Sequence, residues 1–528
     1  MVRPLQYATL LFLVACEGVF GAPRASTVGA DAARSASAGA SHIAIHRLTN
    51  DEYTNTVQDL LRTQRRPGDL FPRSSVGESG FKNDSTALNV SEEWVSRAYE
   101  AADTLASELI ASKGIPGGAY ETLATCPGAA ADCASEVITK LATRAYRRPI
   151  TTEERTQLMN AFKGSFDEGL RDAVVAMLLS PSFLFVIAED EGAVSDFVLA
   201  SRLSYFLWQT MPDDALLEAA RSGALSTREG LHAEVTRMLA DPRAMRLAST
   251  LVREWAGLAN LESSGIDGLS DALRASMIKE TDLFVQDIIK NDGSLLKLVS
   301  SNYSFVNQAL ADLYGVPFPG SDPNAFVRVE LTGAKRMGVG TQASVLTATA
   351  GAPQVTHPVR RGFWVAQRVL CMAPPPPPMD VPPLDPGSGA QSVRERLNQH
   401  VASPACSGCH VVMDAVGLGL ENYDPFGRWR DSYSGGMAID ASGVLPSGTT
   451  FTSPESMYAS LASDQQVRAC LARQLMGLAF TRSIKGAADL SLAKTLGDTH
   501  LVPSGTFSAL ISDIVSSAQF RQQVAEAN

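Results

Sequence analysis

Apolar residues recur at three- and four-residue intervals along most of the chain, the period of amphipathic helices. Thr49, Asn50, Asp51 and Glu52 form a capping-box signature, and Tyr53, Val57, Leu60 and Leu61 follow at helical spacing. A second helix is predicted from the Ser91–Trp94 start to about Ser112, and a third from Ser135 to Tyr146. Arg144 sits in the last turn of the third, and Pro149 blocks its extension. Thr151 to Glu154 caps another helix, and Leu170 to Leu179 carries one more up to Ser180 and Pro181. From Ser195 to about Leu261 the pattern is almost wholly helical. Leu199, Leu203, Phe206 and Leu207 share one face, and Met238, Leu247, Leu251 and Trp255 belong to later ones. The same period continues from Leu273 to Gly315, returns at Ser392 to His400 and Glu455 to Phe480, and ends with Thr506 to Val524. Long alternating runs are missing, and only Phe326 to Leu331 reads as a strand. The stripes read as core packing, so the fold class is mostly α.

At 528 residues the chain exceeds one ordinary core, which predicts several modules. A proline run from Pro374 to Pro378, with Pro382, Pro383 and Pro386 beyond it, can join neither helix nor sheet. Five prolines in polyproline II extend about 15 Å and make a stiff spacer.

Charge and the N-terminus change the picture next. The net charge of -11 argues against a nucleic-acid partner, which selects clustered Lys and Arg. The one basic cluster, Arg144 to Arg148, reads as a solvated or salt-bridged helix end. Arg3 precedes an apolar run from Leu5 to Ala15, short for a membrane span and suited to a signal peptide. Leu13, Val14, Ala15 and Cys16 resemble a lipoprotein cleavage box, which makes Cys16 a lipidated first residue on a membrane surface. The alternative is cleavage after Gly21, giving a free secreted protein. Both place the chain in the cell envelope or beyond, the lipoprotein on the periplasmic or outer-membrane face.

The candidate chemistry lies in Pro404-Ala-Cys-Ser-Gly-Cys-His410. Cys-x-x-Cys-His is the spacing of a c-type haem attachment site. Cys406 and Cys409 can each add to one vinyl group of a single porphyrin, and His410 can serve as the proximal iron ligand. The competing readings are a redox dithiol, half of a zinc site, or a Cys406–Cys409 disulfide. No second ligand pair with zinc spacing lies nearby. For the sixth ligand, His400 upstream and Met437 downstream are the candidates, with Met457 and Met476 further on. Met413 lies one turn after His410 on the same side. Tyr423, Phe426 and Trp429 are candidates to pack a haem edge, and Arg428 or Arg430 to pair with propionates. Four cysteines remain once Cys16, Cys406 and Cys409 are set aside. In an oxidising compartment they predict two disulfides, Cys126 with Cys133 and Cys371 with Cys470.

These breaks give a signal peptide at 1–15 and a lipidated cysteine with a flexible tether at 16–41. Helical modules follow at 42–125, at 126–190 with the Arg-Arg-Pro motif, and at 191–330. A connector with the proline run spans 331–390, a cytochrome c-like segment 391–450, and a C-terminal helical module 451–528.

One ordered series of stretches runs His46 to Tyr53, Arg144 to Ile150, Ser180 to Leu184, Leu199 to Trp208, Pro212 to Asp214, and Gly340 to Leu346. Arg361-Gly362, Cys409-His410 with Met413-Asp414, Gly419 to Asp424, Gly427 to Arg430, and Ser517 to Phe520 complete the series. In this order they resemble a multi-domain family first described from planctomycetes and frequent in myxobacteria, built from domains of unknown function around a planctomycete-type cytochrome c segment. Ala415 departs from it, since the family usually has proline there, and its loss is expected to loosen a turn after the haem site. The resemblance implies one covalent haem c and leaves substrate and reaction unassigned.

Two functions follow. One is an exported, lipid-anchored haem c protein that passes electrons to an unknown redox partner or serves as the redox module of an envelope oxidoreductase. The other is a structural or binding lipoprotein in which Cys406 and Cys409 form a disulfide. A hydrolase has little support, because no Gly-x-Ser-x-Gly, His-Glu-x-x-His or phosphate loop occurs.

Overall fold

Thr49 opens the first helix, α1 (Asn50–Leu61), through a complete capping box. Its hydroxyl accepts from the Glu52 amide, and the Glu52 carboxylate accepts from the Thr49 amide at 2.8 Å. The same carboxylate lies 2.9 Å from His46 Nε2, and all of these groups are buried. The computed structural model describes residues 46–124, 130–187, 192–263, 266–333, 335–350, 355–372, 392–401 and 404–523. The expected signal peptide and tether, Cys16, Cys126 and the proline run lie outside the described residues.

Helices α2 (Glu92–Ala111), α3 (Ala130–Ala145), α4 (Thr152–Ala161) and α5 (Phe166–Leu178) pack with α1 around one apolar cluster. Ser91, Thr151 and Ser165 each cap a helix with the hydroxyl, and the last two form further capping boxes with Glu154 and Glu168. Tyr53 contacts Phe71 edge-on at 4.9 Å between ring centroids and Phe183 at 5.7 Å. A short antiparallel pair, β1 (His46–Arg47) with β2 (Phe185–Val186), closes the unit.

Arg147 overturns the expectation of a solvated helix end. It is buried, with a left-handed φ of 62°. Its guanidinium donates to the carbonyls of Ser182, Phe183 and Phe185 at 2.8, 3.0 and 2.6 Å, and to the Tyr205 hydroxyl at 3.3 Å. Carbonyl dipoles take the place of water around the cation. Arg148 forms a bidentate pair with Glu154, and Arg144 lies 3.7 Å from Asp214, so those two keep the salt-bridged role.

Beyond residue 190, α6 (Asp196–Trp208) is buried on every side from Leu199 to Trp208, including Ser201, Arg202 and Ser204. A helix surrounded in this way is a core element rather than an amphipathic surface one. Around it pack α7 (Arg228–Ala240), α8 (Asp271–Lys290) and the C-terminal helices. One segment read as helical is not. Tyr303–Val306 is a strand, β3, paired antiparallel with β4 (Val327–Glu330), the strand expected from sequence. Tyr, Ser, Phe and Val suit a pleated, half-buried pair, and the partner strand supplies what four residues alone cannot signal. The final helical stretch is also broken. It runs Phe507–Ser516, then Ser517 caps a new turn, Ala518–Arg521.

Glu280 on α8 is wholly buried, with its carboxylate accepting from the Ser304 and Tyr314 hydroxyls at 2.6 Å each. Burial pushes its carboxyl up to about 7. Glu254, half-buried and accepting from the Lys82 amide, is also pushed up to about 7 by desolvation. The folded state therefore holds these protons more tightly than the unfolded chain, whose carboxyls titrate near 4.5. Stability from each group is complete below the unfolded value and is lost as pH rises from about 4.5 to about 7. Urea unfolding is expected to show falling stability across that window. Glu280→Gln removes its share, up to about 3 kcal/mol. An unchanged pH profile in that variant contradicts the assignment.

Candidate functional site

The cysteine motif lies on a helix whose position is set by a close crossing. Helix α9 (Pro358–Arg368) runs antiparallel to α11 (Pro404–Leu418), with α10 (Val393–Val401) packed beside the latter. A Cβ on Gly362 would lie 1.8 Å from the Met413 carbonyl oxygen, and one on Gly417 would lie 1.9 Å from that of Pro358. Glycine at both points lets the backbones touch.

On α11, Cys406, Cys409 and His410 fall at i, i+3 and i+4, which share one helix face. The side chains of the two cysteines and of His400 lie outside the described residues. His410 is largely buried, and its Nδ1 lies 3.0 and 3.2 Å from the two carboxylate oxygens of Asp414, one turn on. A ring that donates its Nδ1 proton to Asp414 carries its lone pair on Nε2, the tautomer and orientation typical of a metal-ligating histidine. Sequence reasoning gives Asp414 no role of its own beyond its place in a motif. An acid four residues after the histidine was the signal for its role.

The helix is anchored by Arg361. This side chain is fully enclosed, and it donates to the carbonyls of Leu420 and Tyr423 at 2.9 and 2.8 Å and of Asp424 at 2.8 Å. Its guanidinium also lies 3.6 Å from the equally buried Glu421. Burial lowers its basicity to about 10, opposed by the Glu421 charge. The other Glu421 oxygen accepts from the Thr356 hydroxyl at 2.7 Å and from Arg430 at 3.3 Å. The Arg361-Gly362 and Gly419 to Asp424 stretches thus form one bonded scaffold beneath α11.

Tyr423 is fully buried with its hydroxyl on the Lys335 carbonyl, and Trp429 packs edge-on against it at 5.4 Å. Phe426 packs at a separate apolar cluster beside α8. Arg430 is committed to Glu421 and Thr356, while Arg428 is half exposed beside Asp424 at 3.7 Å. Met457 and Met476 are fully buried in the main core, and Met413 is buried where α11 meets α9. His400 lies on α10, and Met437 is half-buried in a turn closed by the Ser432–Ala438 bridge. Arg394 of α10 ties the two regions, donating to the carbonyls of Asp440 and Ser442 at 2.9 and 2.6 Å. Ala415 lies inside α11, so the expected loosened turn is not there. A proline at that position would remove a helical hydrogen bond.

Cys371 and Cys470 form the expected disulfide, with Cα atoms 5.3 Å apart. It joins the end of α9 to α12 (Gln465–Phe480). Cys133 is also disulfide-bonded. No helix among the described residues is long and apolar enough to cross a membrane.

Four family models match the chain in order. Each is described as a protein of unknown function: PSD3 (DUF1587) at 46–111, PSD5 (DUF1595) at 133–187, PSD4 (DUF1592) at 194–316 and PSCyt3 (DUF1588) at 336–433. The chain belongs to the planctomycete-type multi-domain family that these modules define. The PSCyt3 match contains the Cys-x-x-Cys-His, α9 and Arg361. No curated protein and no solved structure matches the chain significantly.

Proposed function

We propose that this is an exported, lipid-anchored protein carrying one covalent haem c, held by Cys406 and Cys409 with His410 Nε2 as the proximal ligand, and that it passes electrons in the cell envelope. The observation that carries the reading is the His410–Asp414 pair on the same helix as the cysteine motif. A carboxylate on the far ring nitrogen fixes the tautomer and raises ligand basicity. The surface around the motif suits a largely apolar macrocycle: Val411 and Phe363 on the two paired helices are 59% and 39% exposed. Bound haem c supplies a one-electron iron couple. The chain's part is to orient His410, hold α11 against α9, and bring a sixth ligand from His400 or Met437. The name of the matching segment, PSCyt3, agrees with a cytochrome-like module. Cys16 as the lipidated residue would keep the protein at the membrane surface, within reach of a redox partner.

The test is expression with a cytochrome c maturation system, followed by a denaturing gel stained for haem peroxidase activity. The wild-type band stains and the Cys406→Ser/Cys409→Ser double variant does not. A colourless wild-type band sinks the proposal and leaves the disulfide-bonded structural protein.

A further inference from the structure

A cleft that the haem reading does not use lies where the end of α9 meets the middle of α12. It has an internal volume of about 110 Å³, room for a group of several heavy atoms. Arg368 and Cys371 line it from one side, Arg473 and Gln474 from the other, and the Ser79–Gly80 loop closes the third. Both arginines are half-buried, and among the described residues neither guanidinium forms a hydrogen bond or a close ion pair; the Glu254 carboxylate acts on Arg368 only at longer range, and Arg473 has no such charge. Glu78 is the one carboxylate lining the cleft, and it is taken by Lys485 on the surface.

Two further features show that the arrangement is built. Arg368 stands three residues before Cys371, and Arg473 three after Cys470, so the disulfide fixes the spacing of the two cations. Gln474 Nε2 lies 3.5 Å from the Cys371 sulfur and donates to the Gln367 carbonyl at 3.3 Å. Gly80 has φ +87°, a conformation that favours glycine, and its backbone lies against the Arg368 guanidinium, where a Cβ would stand 2.4 Å from Nη1. Burial depresses the basicity of both arginines, opposed at Arg368 by the charge of Glu254 and at Arg473 by no charge among the described residues. In a chain of net charge -11, two guanidiniums without a hydrogen-bonded partner thus line one cleft.

We propose that this cleft binds a small oxyanion of the sulfate or phosphate class, clamped between Arg368 and Arg473. Guanidinium is the group suited to such ligands, since its planar fork donates two parallel hydrogen bonds to paired oxygens. The disulfide acts as the positioning element, and its reduction frees the two arginines to separate.

The test is calorimetric titration of the full mature chain with sodium sulfate and, separately, sodium phosphate, in dilute buffer. Sodium chloride at matched ionic strength is the reference. A saturable one-to-one heat is expected for at least one oxyanion. Arg473→Gln and Arg368→Gln, each checked for native circular dichroism, weaken it by roughly ten- to a hundredfold. The exposed Arg97→Gln control leaves it unchanged, and Cys371→Ser/Cys470→Ser weakens it while leaving both arginines in place. Three results each overturn the proposal: no saturable heat, an equal response to chloride, or full affinity in both folded arginine variants.

Discussion

Arg361→Met is expected to lower the unfolding free energy by about 3–5 kcal/mol, the cost of removing one partner from a buried ion pair. Three carbonyls, of Leu420, Tyr423 and Asp424, lose their donor, and Glu421 is left enclosed with Arg430 at 3.3 Å and the Thr356 hydroxyl. The loss is a large fraction of an ordinary domain's total of about 5–15 kcal/mol. Urea unfolding measures it. The double variant Arg361→Met/Glu421→Gln recovers part of the loss, because the second change removes the stranded charge. A single-variant cost below about 1 kcal/mol would show that water reaches the site and that Arg361 is no anchor.

The second large effect rests on the proposed haem iron. Asp414→Asn keeps an acceptor near His410 Nδ1 and removes its charge. With haem bound, the carboxylate would favour the ferric state by strengthening the imidazole as a donor. Changes to such outer partners typically alter metal affinity by about 10–100-fold. If that falls on the ferric form, the midpoint potential rises by roughly 60–120 mV, at about 59 mV per tenfold for one electron. Redox titration of the purified variant reads it directly. A potential within error of wild type would separate Asp414 from the ligand and leave it a helix-surface pair.

Local signals in the chain were the readable ones. Thr49 with Glu52 and Thr151 with Glu154 announce capping boxes, because every partner lies within three residues. The Cys371–Cys470 bridge was legible by counting cysteines in an oxidising compartment. Arg147 was misread because its acceptors come from Ser182, Phe183, Phe185 and Tyr205, up to 58 residues away, and a basic cluster at a helix end ordinarily faces water. The strand Tyr303–Val306 was missed because its stability comes from pairing with Val327–Glu330. At the site, the cysteines and His410 were plain in sequence. Gly362 and Gly417 acquire meaning only when α9 is laid against α11. The cleft between Arg368 and Arg473 was invisible, since the disulfide rather than the local sequence brings the two arginines together.

The most direct measurement is the absorption spectrum of mature protein from a host competent in cytochrome c maturation, oxidised and reduced, with haem quantified as the pyridine complex. One haem per chain, a Soret band, and reduced bands that shift on His410→Ala are the predicted result. Protein with no Soret absorption, in which Cys406 is found bonded to Cys409, would contradict it.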